Sequence, residues 1–283
     1  MAVDRRVSLA VIAGAALAVS APALQAQDWQ TLAVSRRVAD EARIEATVTH
    51  AAGTLKLEPA DGSLLYSMDL RYDADVFEPV VDYASGSLEL GVEGNGRDIR
   101  IKGDRGAADM EVSLSPRVPL ALELEFGAGR AEVELGGLRL TELEIRTGAS
   151  ETRIDVSRPN PVRLAHAEFA AGAAQFEAWG LANLNADRIS VDAGVGEVLL
   201  DLSGEWRGDL GIEVDMGLGA LELRVPRGVG VKLVKESFLT DLDAPGLERE
   251  GDAWYSADWR RAERHLTVDV QAAFGSIEIH WID

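Results

Sequence analysis

A phrase of small residues returns along this chain at a nearly fixed interval. Gly106-Ala-Ala, Gly127-Ala-Gly, Gly148-Ala-Ser, Gly172-Ala-Ala, Gly194-Val-Gly and Gly217-Leu-Gly start 21, 21, 24, 22 and 23 residues apart. Weaker copies at Ala51, Ala84, Phe238 and Ala273 extend the series, with two longer steps of 33 and 35 residues. A period near 22 marks a repeat architecture. One copy cannot bury its apolar face alone, so neighbouring copies must stack on each other.

Within each copy the apolar residues alternate. After the marker come Ala131, Val133 and Leu135, or Val198, Leu200 and Leu202, or Leu221, Leu223 and Val225. Before the next marker come Leu122, Leu124 and Phe126, or Ile189, Val191 and Ala193. The residues between them are mostly charged, as at Glu123, Glu125, Glu132 and Glu134. Period two means one buried and one wet face of a strand. Each copy therefore reads as two short strands with a small-residue corner between one coil and the next. No long stretch carries a 3.6-residue stripe. The expected fold class is all-β: an elongated two-sheeted β-solenoid with atypical capping ends. Residues 27–283 are expected to form a single domain, with N-terminal coils and a cap at 27–105, regular repeats at 106–237 and a C-terminal cap at 238–283. The cap at the far end would hold Trp254, Tyr255 and Trp259, and Leu64–Tyr72 reads as an extra strand.

The glycines suit corners, because glycine lets backbones approach closely. They do not suit a phosphate cradle, since no helical pattern or P-loop lysine follows them. The alternation in GAGRAEVELGGLRLTELEI, GASETRIDVSRPNP, GVGEVLLDLSGEW and GLGALELRVPRGVGVKL resembles the toast-rack family of bacterial envelope domains. The segment APGLEREGDAWYSADW and the ending FGSIEIHW resemble that family's closing region. The resemblance covers roughly residues 40–281. It implies a β-solenoid-like stack and a place in the cell envelope, where some members sit C-terminal to membrane helices in proteins that sense envelope stress. It implies no catalytic residues.

Residues 1–26 read as a secretory signal: Arg5 and Arg6, an apolar run from Val7 to Val19, and small residues around Ala21–Ala26. Export then places the protein in the periplasm or outside the cell. The chain has no cysteine, which excludes disulfides, thiolate ligands and a lipid-modified cysteine. Its 48 acids against 28 bases give a net charge of −20. Nucleic acid is excluded as a partner, because phosphate neutralisation needs Lys and Arg. Partners compatible with this charge are cationic: divalent metal ions bound weakly, basic protein patches or cationic peptides.

No constellation for catalysis stands out. His50, His166, His265 and His280 lie in different copies, with His50 on an inner phase. Glu123, Glu144 and Glu168 form an expected ladder on one face, with Arg146 as counter-charge. Paired carboxylates can cut glycosides, but stacked coils produce such pairs without a cleft. Trp179, on an outward phase, and Trp206, in a loop of the next coil, are candidates for an exposed aromatic surface. The expectation is an exported, non-enzymatic binding or scaffold module without a cofactor, acting on an envelope protein or glycan. The alternative is a lyase or hydrolase of envelope polysaccharide.

Overall fold

The computed structural model describes residues 28–96 and 107–283. The expected secretory signal at residues 1–26 and the marker Gly106 lie outside the described residues. The described chain is all-β, with one turn of 3₁₀ helix at Leu181–Leu184. Its strands are β1 (Trp29–Arg37), β2 (Ile44–Pro59), β3 (Leu64–Asp73), β4 (Phe77–Ala84), β5 (Ser87–Gly94), β6 (Ala108–Leu114), β7 (Pro119–Glu134), β8 (Arg139–Asp155), β9 (Leu164–Trp179), β10 (Ala186–Asp201), β11 (Leu210–Pro226), β12 (Gly230–Asp243), β13 (Leu247–Glu250), β14 (Ala253–Ser256) and β15 (His265–Ile282). No helix among the described residues is long and apolar enough to cross a membrane.

The repeat becomes a parallel ladder. β7, β8, β9, β10 and β11 follow one another in sequence and in space, each in parallel register with the next. The two short strands expected per copy are one continuous strand of 16 or 17 residues that runs through the small-residue triplet. Period-two patterning puts matching residues in columns. Val48, Leu124, Ile145, Phe169, Val191, Val214 and Val270 meet in register on neighbouring strands and are buried. On the second arm Leu55, Ala131, Thr152, Phe176, Val198, Leu221 and Ile277 do the same. Phe169 and Phe176, from opposite sides of one triplet, meet with ring centroids 5.6 Å apart. The first column ends on the outermost parallel strand at Lys235, whose Nζ donates to the Thr240 carbonyl. A lysine there closes an apolar column that has no further strand to cover it.

The two long steps in the period are the two places where the chain leaves sequential order. The expected succession of coils at 51, 84, 106 and 127 does not occur. β2 pairs directly with β7, its Ala52 opposite Ala128. On its other side β2 meets β5 along its first half and β6 along its second. These two short strands together make one rung, covered by β3, β1 and β4 in antiparallel pairing. At the far end β15 inserts between β11 and β12, and the β13–β14 hairpin closes the edge through β12. Both insertions place a long strand between two partners, so its backbone groups are satisfied on both sides.

Candidate interaction groove and its apolar ridge

Where the triplet opens on Gly127, Gly148, Gly194 or Gly217, its first residue has no room for a side chain, while Ala51 and Ala273 add only a methyl at the two ends. A Cβ on Gly127 would lie 2.2 Å from the Ala51 carbonyl oxygen, one on Gly148 2.3 Å from that of Gly127, and one on Gly217 2.5 Å from that of Gly194. Successive backbones therefore stack with a bare column between them. The column floors a groove of about 1210 Å³ that crosses the ladder from β2 to β12. Thr49, Glu125, Arg146, Asp192, Asp215 and Gln271, each two residues before its triplet, also line it.

At one end of the groove lies His50. It is fully buried, stacked on Phe126 with centroids 5.5 Å apart and planes 5° from parallel. Neither ring nitrogen has a hydrogen-bond partner. Burial pushes its pKa down to about 4, opposed in part by the nearby Ala108 backbone and the Asp109 carboxylate. His50 is thus a neutral ring in the wall. Further along, burial raises the pKa of Asp192, reinforced by Asp215 and Glu168. Asp192 and Asp215 stand opposite each other on neighbouring strands, about 4.8 Å between backbones.

The middle residue of each triplet stands beside the groove floor, and here the two ends of the ladder differ. Along the ladder this position of the triplet holds Ala52, Ala128, Ala149, Ala173, Val195, Leu218, Phe274 and Leu239. The last four are 53%, 51%, 46% and 62% exposed. They occupy consecutive strands and form one apolar ridge. The same backbone position accepts alanine at four other rungs, so the stack does not need bulk there. Contiguous exposed apolar side chains of this kind mark contact surfaces.

The expected carboxylate ladder is present: Glu123 pairs with Glu144 and Glu144 with Glu168. Arg146 supplies the counter-charge. It lies 2.7 Å from Glu123 and 3.8 Å from Glu125, and it also pairs with Glu144. These groups are part-exposed, so the pairing is screened by water. Arg146→Gln is expected to cost less than about 1 kcal/mol at low salt and nothing measurable at high salt, as thermal unfolding at two ionic strengths will report. Among the described residues no three metal-ligating side chains converge.

Trp179 and Trp206 have separate surroundings. The Trp179 ring lies between two guanidinium groups, Arg153 at 4.9 Å and Arg224 at 4.8 Å from its centroid, and its Nε1 donates to Glu177. Trp206 packs against the core, donates Nε1 to the Leu202 carbonyl and lines a second cavity with Arg163, Asn185 and Asp187. Trp179 is not among the residues lining that cavity. The ridge, absent from the sequence-based candidates, had one signal in the sequence: the middle residue of the triplet changes from Ala to Val, Leu and Phe.

A family model described as the N-terminal domain of toast_rack, DUF2154, matches residues 25–178. The chain belongs to the toast-rack family. The matched span of this toast-rack protein ends inside β9, so the ridge rungs lie beyond it. No curated protein matches the sequence. Among solved structures, the toast-rack chain is similar to one described as a putative cell adhesion protein from Clostridium sporogenes ATCC 15579. That match has 15% identity and a TM-score of 0.44, and covers 89% of this chain and 100% of the other. Another, described as a putative adhesin from Bacteroides fragilis NCTC 9343, has 10% identity and a TM-score of 0.41, covering 88% and 97%. A third, a putative adhesin from Parabacteroides merdae ATCC 43184, has 10% identity and a TM-score of 0.40, covering 90% and 97%.

Proposed function

We propose that this toast-rack protein is an exported, non-enzymatic binding module of the bacterial cell envelope, its coils stacked as an elongated β-solenoid that presents the groove and ridge to a partner. The observation that carries this reading is the ridge. Four large apolar side chains are about half exposed or more at a position where the same backbone accepts alanine. The leader pattern in residues 1–26 supports export, and membership of the toast-rack family supports an envelope setting. The carboxylates that an enzyme would use are either paired with Arg146, as are Glu123 and Glu144, or arrayed along an open groove of 1210 Å³.

Two arms test the reading on residues 27–283. Incubation with envelope glycans is expected to release no oligosaccharide, and release would favour the rival lyase or hydrolase. Periplasmic extract passed over the immobilised protein is expected to leave a saturable partner that is not retained by Val195→Ala/Leu218→Ala/Phe274→Ala. Retention by both proteins alike would place binding elsewhere.

A further inference from the structure

The ridge does not stand alone. The four triplet segments that carry it are Asp192–Glu197, Asp215–Ala220, Gln271–Ser276 and Glu236–Asp241. Together they hold five carboxylates, at Asp192, Glu197, Asp215, Glu236 and Asp241, and no Lys or Arg, although the Lys235 ammonium reaches in at one end to the Thr240 carbonyl. Asp192, Asp215 and Glu236 lie three residues before their ridge residues, and Glu197 and Asp241 two residues after theirs. An apolar strip is thus bordered by negative charge on both sides. Elsewhere on the ladder bases sit among the acids, as at Arg130, Arg146 and Arg153.

That charge decides between occupants. A second copy would bring like-charged borders together, on molecules that each carry −20. An anionic lipid surface is repelled for the same reason. A partner with basic groups flanking apolar ones is attracted on both counts. Spacing narrows the choice further. Ridge residues repeat at about 4.8 Å along the stack, close to the roughly 5.4 Å of a helical turn. Over the three steps from Val195 to Leu239 a helix accumulates about 2 Å of mismatch, whereas an extended strand with about 6.7 Å between like-facing residues accumulates about 6 Å.

We propose that the Val195–Leu218–Phe274–Leu239 ridge and its carboxylate borders dock an amphipathic helix of a partner protein, with its apolar stripe on the ridge and Lys or Arg on Asp192, Asp215 and their neighbours. This rests on the binding-module reading and names its partner's chemistry. The pKa of Asp192 is raised first by burial and then by Asp215 and Glu168, and a cation beside it would offset the second contribution.

The test uses synthetic helices of about 20 residues, about 30 Å long, with one leucine stripe and either lysine or glutamate flanks. Fluorescence anisotropy is expected to show saturable binding of the lysine helix to residues 27–283, weakening as salt rises. Val195→Ala/Leu218→Ala/Phe274→Ala is expected to weaken it by roughly tenfold or more. Asp192→Asn/Asp215→Asn is expected to weaken it and flatten the salt dependence. Equal binding of the glutamate helix, or undiminished binding to the alanine variant, overturns the proposal. So does a concentration-dependent dimer of the wild type that the alanine variant loses, since a second copy then covers the ridge. If no helix binds while periplasmic capture still depends on the ridge, the helix is wrong and the binding module stands. If capture fails as well, both fall.

Discussion

Gly219→Ala is expected to destabilise the protein by roughly 3 to 5 kcal/mol, while Leu218→Ala, one residue away, changes stability by less than about 1 kcal/mol. Gly219 has φ +154°, and a Cβ there would lie 1.8 Å from the Gly196 carbonyl oxygen. The clash is with backbone, which cannot swing aside. Relief requires moving β10 from β11 over a register that runs from Arg188↔Gly211 to Asp201↔Arg224. Leu218 instead projects into water, at a column position that Ala128, Ala149 and Ala173 already fill. Thermal unfolding of the two variants is expected to differ by roughly 5 to 15 °C for a chain of this size. Similar melting temperatures would mean that the stack is looser at this corner than the structure describes.

The second large effect concerns acid. The unfolded chain binds a proton on His50 near pH 6.5, and the folded chain only near pH 4. Between these values the unfolded state holds more protons, so the stability contributed by neutral His50 is present above pH 6.5 and lost as pH falls toward 4. The full difference, about 2.5 pH units, corresponds to about 3 kcal/mol. His50→Leu removes this loss, along with two buried ring nitrogens that have no partner. Denaturant midpoints for both proteins at pH 7 and pH 4.5 are expected to diverge, with wild type falling further. Asp192 acts in the opposite direction, since burial, and then Asp215 and Glu168, raise its pKa and protonation relieves them. Comparing two proteins that both contain Asp192 removes that contribution. Parallel falls would show that His50 does not control the acid limb.

Much of the architecture was legible because it is local. Alternation within a strand assigns faces directly, so the inner phase of His50 and the inward columns through Val191 and Val198 follow from period two. The close backbone approach at the glycines follows from their spacing, but the expected corner between one coil and the next lies instead inside one continuous strand. Strand order was less legible. β2 beside β7, and β15 between β11 and β12, are choices of partner, and the same alternating segment suits either neighbour. The breaks in the period marked where the order changes, without giving the new order. The ridge was hidden by the triplet itself. Inward residues resume at Val198 after Ala193, an odd step, so the phase resets within the corner and alternation cannot say where Val195 points. The Glu123–Glu144–Glu168 ladder was legible, since it needs only the repeat. The surroundings of Trp179 and Trp206 were not, since Arg224 reaches Trp179 from two rungs away.

The central claim is that the ridge serves binding and not folding. The most direct measurement is thermal unfolding of Val195→Ala/Leu218→Ala/Phe274→Ala beside wild type. The predicted result is a melting temperature within about 6 °C of wild type, as expected when each truncation costs about 0.5 kcal/mol or less. A fall of about 10 °C or more would contradict it, because the ridge would then be part of what holds the stack together.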